Sequence, residues 1–277
     1  MPDQNPVNYP IIYPPKTLFL LSLKTPILLF MKILVGISNV PDTTAKISFT
    51  DNNTKFNKAG VQFIINPYDE WYALVRALEL KEAKGAGSVT VIHVGPAENE
   101  AMIRKALAIG ADDAVRIDAE PADAYFVAEQ IAAYAKDKSY DLILVGKETI
   151  DYNSSMVGGM LGEMLNLPFI SLASKLDVNG AVATVETDID GGTAVLEVQL
   201  PAVISCQKGM SEARIPNMRG IMAARTKPLI VVPVAPASVM TSVESFTPAE
   251  GRKAVKMIDA NNMDELVSLL HNEAKVI

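Results

Sequence analysis

From Met31 onward, short runs of β-branched and aliphatic residues alternate with stretches whose apolar residues recur at helical spacing. A chain patterned this way is expected to stack a parallel sheet between helices. Strands are predicted at 32–38, 61–65, 88–94, 113–117 and 140–145. Between them Trp71, Leu74, Val75 and Leu78 fall at i, i+3, i+4, i+7, as do Ile103, Ala106, Leu107 and Gly110, so each helix offers one stripe to the sheet. Past Pro168 the texture changes: 181–186 and 195–200 alternate on either side of the turn Asp190-Gly191-Gly192, which predicts a hairpin, and 202–206 adds a strand. The segment 208–227 carries Lys208, Arg214, Arg219, Arg225 and Lys227 with Pro216 and Gly220, and is expected to be an exposed loop entering a short helix. A last strand is predicted at 229–234. The expected fold is an α/β domain over 31–234, a parallel Rossmann-like sheet flanked by helices with an added β-hairpin. An extended arm over 235–277, with one amphipathic helix near 263–270, is expected to dock on a partner.

Residues 1–30 are expected to be a leader or over-extended start outside the fold. The apolar run 17–30 is shorter than the roughly 20 residues a spanning helix needs, and Lys24 and Pro26 interrupt it. The prolines before it and the lack of a small-x-small cleavage site argue against a secretory signal. A single cysteine, Cys206, can form no internal disulfide, and with two histidines it offers no ligand spacing for a transition metal. A reducing, cytoplasmic setting fits that usage. With 25 basic residues against 32 acidic ones, the chain has no basic cluster dense enough to track a nucleic-acid backbone.

The strongest local pattern is Asp141-Leu-Ile-Leu-Val-Gly-Lys-Glu-Thr-Ile-Asp-Tyr-Asn-Ser-Ser-Met-Val-Gly-Gly159, a buried strand that breaks at Gly146 and re-enters a helix through hydroxyl and amide side chains. In a parallel sheet this places free N–H groups and the positive end of a helix dipole at the carboxyl edge, where they favour a phosphate. Asn153, Ser154 and Ser155 can add hydrogen bonds, and Gly158 permits close approach. Capping of the helix by Asn153 or Ser154 explains part of the same pattern. Three other segments should face the same crevice: Gly36 to Ser38, the turn Val94-Gly95-Pro96, and Asn66-Pro67-Tyr68-Asp69 at a helix start. Neither Gly-x-Gly-x-x-Gly nor a P-loop is present, nor a Gly-x-Ser-x-Gly elbow or Cys/His pair. His93, among apolar neighbours, reads as a satisfied core residue, and His271 lies in the arm. The acidic run Glu186, Asp188, Asp190 reads as one solvated face and a turn.

The run Glu186-Thr-Asp-Ile-Asp-Gly-Gly-Thr-Ala-Val-Leu-Glu-Val-Gln-Leu-Pro-Ala-Val-Ile-Ser205 resembles the acidic hairpin, Gly-Gly turn and Leu-Pro-Ala-Val strand of electron transfer flavoprotein beta subunits, and the resemblance extends from Met31 nearly to the C-terminus. It implies a sheet of the adenine nucleotide alpha hydrolase-like kind. It also implies a structural AMP held by Gly36, Asn66, Pro67, Tyr68, Asp69, Val94, Gly146, Lys147, Glu148, Thr149, Ile150, Asp151, Tyr152, Asn153, Ser154, Ser155, Met156 and Val157. The implied partner is an alpha subunit holding most of an FAD. Implied donors are acyl-CoA-type or other flavin dehydrogenases, as in fatty acid oxidation, and the implied acceptor is a quinone oxidoreductase or another carrier. On this resemblance the chain is an electron-carrier subunit with no catalytic residue. A recognition loop for the dehydrogenases falls at 212–222, with Met218 as apolar knob between Arg214 and Arg219. Flavin-bifurcating members hold a second FAD in place of AMP and tend to read Asp-Gly-Asp-Thr where this chain reads Asp151-Tyr152-Asn153-Ser154. A nucleotide-hydrolysing or stress-type α/β domain of like topology is the alternative from another class.

Overall fold

The computed structural model describes residues 30–251 and 254–277, so the expected leader lies outside the described residues except for Phe30. In chain order the elements are β1 (Met31–Gly36), β2 (Asn39–Pro41), β3 (Phe49–Thr50), β4 (Lys55–Phe56), β5 (Phe63–Ile65), α1 (Asp69–Lys84), β6 (Gly87–Val94), α2 (Glu100–Ile109), β7 (Asp113–Asp118) and α3 (Ala124–Ala135). There follow β8 (Leu142–Gly146), α4 (Val157–Leu165), β9 (Phe169–Asn179), β10 (Val182–Ile189), β11 (Gly192–Gln199), β12 (Ala202–Cys206), α5 (Met218–Ala224), β13 (Leu229–Pro233) and α6 (Met263–Ser268).

Among the described residues nine strands form one sheet, in the order β11-β10-β9-β12-β8-β1-β6-β7-β13. It is parallel from β9 through β13, while β10 and β11 run as an antiparallel meander. Both faces of the central strands are covered, which is why they read as unbroken aliphatic runs. Ile33 and Val35 of β1, with Leu142 and Leu144 of β8, pack against α1 and α2. Leu34, Ile143 and Val145 face the other way, into the layer of α3 and α4. This is the α/β architecture expected of the sequence.

The short strands β2, β3 and β4 form where none is predicted, and two further departures are larger. The run 61–65 yields only β5, which pairs antiparallel with β2 outside the main sheet. Of its three residues only Ile65 is buried, so the run lacks the two-faced burial that a central parallel strand requires. Conversely, β9 forms where the sequence pattern predicts no strand. Its register against β12 shifts between Ile204 and Cys206, and that against β10 shifts between Glu186 and Thr187. Leu172 within it has φ +55. Such irregularities break the period-2 alternation by which a strand is recognised in sequence.

The chain divides into two packing units. The first comprises 30–45 and 62–242, the sheet with α1 to α5. Its last residues lie along α3, where the Gln130 amide pairs with both backbone groups of Ala235 and Asp123 accepts from the N–H groups of Met240 and Thr241. The second combines 46–61 with 243–277. Within it β3 and β4 form a hairpin, Phe49 stacks on Phe246 with ring centroids 4.7 Å apart, and Asn262 caps α6.

Candidate functional site

The chain order of the strands locates the crevice. From β1 the chain passes to β6 and β7 with α1 and α2 on one face, then returns over the opposite face by α3 to β8 on the far side of β1. The winding therefore reverses between β1 and β8, and in open α/β sheets a ligand sits where it reverses, beyond the carboxyl ends of the strands. Those ends are Gly36 and Gly146.

Gly146 has no room for a side chain. A Cβ there would lie 2.6 Å from Glu70 Cγ and 3.2 Å from Asp69 Cβ, so the loop leaving β8 runs hard against the start of α1. Asn66 fastens the two together. It is fully buried, donates from Nδ2 to Glu148 O at 2.8 Å, accepts at Oδ1 from Ile150 N at 3.0 Å, and sends its own N–H to Ser38 O at 3.1 Å. One residue thus ties the segment after β1, through its backbone, to the 146–150 loop, through its side chain. Beyond it Pro67 and Tyr68 make a tight turn: Asp69 N–H donates to Pro67 O at 3.0 Å, with Tyr68 at φ 67 and ψ −85. That conformation is strained for a side chain of this size, and it leaves the Tyr68 ring exposed at the mouth.

The loop's second half is where a phosphate would find donors. Asn153, at φ 51, returns its N–H to Thr149 O at 2.8 Å, and α4 then begins at Val157. Its N-cap residue is Met156, with no side-chain cap, so neither Asn153 nor Ser154 caps the helix. The first-turn N–H groups are left without a side-chain acceptor. Close by in sequence, the Ser154 hydroxyl is buried without a hydrogen-bond partner. An orphaned buried hydroxyl costs about 1–3 kcal/mol, and a bound acceptor would relieve it. Gly158 lies against the Phe169 ring and Gly162 against its Cβ, where an added Cβ would come within 2.7 and 2.8 Å; their smallness serves helix packing.

Electrostatically the floor of the crevice is acidic. Burial raises the Asp69 carboxyl above its ordinary range, against the pull of the Lys147 amine and the Glu148 backbone N–H. Lys147 pairs with Glu148 at 3.0 Å. Glu70 is pushed up to about 8 by burial, against hydrogen bonds from Ser38 and with help from Asp151 and Asp69. Nothing in the sequence marks Glu70, since an acidic residue in a first helical turn gives no sign that it is buried. Gly36, Asn66 to Asp69 and the 146–150 stretch are brought together. Val94 turns its side chain into the core, which leaves its backbone for any contact. Among the described residues no cluster of His, Cys, Asp and Glu could hold a metal, and no helix is long and apolar enough to cross a membrane.

Residues 54–237 match the family profile described as Electron transfer flavoprotein domain. The chain is 37% identical over 261 residues to the electron transfer flavoprotein subunit beta of Bacillus subtilis, covering 89% of this chain and all of that protein. It is 33% identical to the mitochondrial beta subunit of Oryza sativa subsp. indica over 89% of this chain and all of the relative. To the human beta subunit it is 33% identical, over 73% and 81%. The chain belongs to the electron transfer flavoprotein family, among its beta subunits.

In this beta-family chain the run 186–205 spans the end of β10, all of β11 and most of β12. The turn between Ile189 and Gly192 has Gly191 at φ 83, a conformation that suits glycine. Glu186 pairs with Lys175 across the strands, and Asp188 accepts from Gln207. The 212–222 segment is held from behind. Arg214 forms two hydrogen bonds to the Glu82 carboxylate, at 2.7 and 3.0 Å, and its carbonyl accepts from Trp71 Nε1. Arg214 is therefore committed to anchoring the segment on α1, while Arg219 is exposed. Asn217 caps α5, and Gly220 packs against Ala108 O, where a Cβ would collide. Ile215, Met218 and Met222 project, Met218 at 74% exposure.

Proposed function

We propose that this chain is the nucleotide-holding half of a heterodimeric electron carrier, with AMP in the crevice between β1 and β8 and an alpha subunit as its partner. The observation that carries the reading is the orphaned Ser154 hydroxyl beside the uncapped start of α4, at the carboxyl edge of the strand where the winding reverses. Such a place suits a phosphate. Lys147 adds a cation, and the Asn66 clamp holds the loop in shape before anything binds. The family suits the same assignment, since relatives over nearly this whole chain are named beta subunits of flavoproteins.

The flavin, mainly in the alpha subunit, would supply the one-electron chemistry, and this chain would supply platform and docking surface in a cytoplasmic carrier. Dehydrogenases would dock on the 212–222 segment through Met218, with Arg219 free to steer the encounter and the 235–277 arm engaging the alpha subunit. The test is to purify the chain with its presumed alpha partner, denature the complex and identify the released nucleotides. One FAD and one AMP per heterodimer are expected, with AMP retention reduced by Ser154→Ala. Two FAD would redirect the reading to bifurcation. A chain that takes ATP and hydrolyses it without a partner would overturn the reading.

A further inference from the structure

Glu70 is a carboxyl without a counter-charge, placed under the loop that would hold the nucleotide. Its two oxygens meet Ser38 alone, the backbone N–H at 2.5 Å and the hydroxyl at 2.7 Å, and among the described residues it has no ion pair. Its Cγ abuts Gly146, the residue at which the loop leaves β8. The groups around it are mostly negative. Asp69 precedes it on α1, and Asp151 faces it from the loop. Lys147 of the same loop is shared between Glu148, with which it pairs, and Asp69, so it does not belong to Glu70. From β12 comes Cys206, fully buried, whose thiol burial keeps protonated. A phosphate monoester adds nearly two negative charges to this environment above neutral pH.

We propose that Glu70 makes nucleotide binding at this crevice proton-linked: the phosphate is accepted while the Glu70 carboxyl is protonated, and binding from alkaline solution draws one proton from the buffer onto that carboxylate. This rests on the nucleotide reading above. A charged, buried Glu70 packed against the loop that holds a dianion would be opposed by both Coulomb repulsion and desolvation, and a neutral one by neither. The proton it needs is already in place below about pH 8 in the free protein. Ser38 keeps the geometry in both states, since its hydroxyl can donate to the carboxylate or accept from the acid.

The experiment is calorimetric titration of AMP into the nucleotide-stripped heterodimer across pH 7.5–9.5, in pairs of buffers with different ionisation enthalpies. Over this range the phosphate no longer titrates. Affinity is expected to fall about 15-fold between pH 8 and 9.5, as linkage to one titrating group requires, with proton uptake approaching one per AMP at the alkaline end. Glu70→Gln, permanently neutral, should give flat affinity and no uptake. Flat wild-type affinity, or uptake that persists in Glu70→Gln, would overturn the proposal, and the wild-type series decides even if the variant does not fold. Failure to bind AMP at any pH would refute the nucleotide reading itself and this proposal with it.

Discussion

His93 and Glu70 place opposite pH dependences in neighbouring parts of the core. His93 Nδ1–H donates to Ile37 O at 2.8 Å and Nε2 accepts from Asn99 Nδ2 at 2.9 Å, so the buried ring is fully used in its neutral form. Burial takes its pKa down to about 4, with Arg116 nearby adding to the effect and the Ile37 carbonyl opposing it. A depressed folded-state value means that the stabilising contribution is complete above the unfolded value near 6.5 and is lost as pH falls through 4. Glu70 has the reverse sign: raised from 4.5 to about 8, it contributes fully below 4.5 and loses that contribution as pH rises through 8. Each acts at about 1.4 kcal/mol per pH unit within its window. The two slopes oppose each other between roughly pH 4.5 and 6.5, so substitutions are needed to separate them. In urea unfolding, His93→Gln should lose about 2 kcal/mol less than the wild type on moving from pH 7 to pH 5. Glu70→Gln should gain on the wild type as pH rises from 5 to 8. Parallel profiles for all three proteins would refute both assignments.

Elements differ in how openly the sequence declares them. The buried strands β1, β6, β7 and β8 were legible because both faces are covered and the aliphatic run marks them. The hairpin was legible from its Asp-Gly turn. By contrast β9 was hidden by its bulges, and the fate of 61–65 turned on a tertiary choice, pairing with β2, that no local pattern carries. At the crevice the turn, loop and helix start were legible because each has its own local chemistry. The Asn66 clamp and the burial of Glu70 were not, since both depend on segments about 30 to 80 residues apart in the chain meeting. Asp123 shows the same limit. It caps α3 through Phe126 N, as sequence could suggest, and it also accepts from Met240 N, Thr241 N and Thr241 Oγ, holding the first part of the arm. Asp123→Ala should therefore cost about 1 kcal/mol as a lost cap. It should also speed protease cleavage within 235–242. A loss of stability with unchanged cleavage would mean that the strap is held by Gln130 and Glu129 without it.

For the whole molecule, the question is whether docking and nucleotide holding are separable. The 212–222 segment is supported by the sheet unit itself, through Glu82 and Trp71 of α1 and Ala108 at the end of α2. Lys227 follows it, donating to the carbonyls of Leu107 in α2 and Ala111 just past its end. What this scaffold presents is a small apolar group, Ile215, Met218 and Met222, whose exposure brings no evident benefit to the isolated fold. A flexible apolar side chain on a rigid base is suited to filling a partner's pocket, and truncating such an anchor commonly costs more than 1 kcal/mol of binding. Met218→Ala should therefore raise the apparent KM of a donor dehydrogenase for the carrier by about 5- to 30-fold, the equivalent of 1–2 kcal/mol. Assembly with the alpha subunit and AMP content should be unchanged, because Met218 is largely exposed and the segment is held on α1 and α2 through Arg214 and Gly220. Gly220→Ala is the control for the scaffold: the new methyl meets Ala108 O, so it should displace α5 and weaken the same coupling with Met218 intact. If Met218→Ala instead breaks the heterodimer, the segment belongs to the subunit interface, and the dehydrogenases must dock elsewhere.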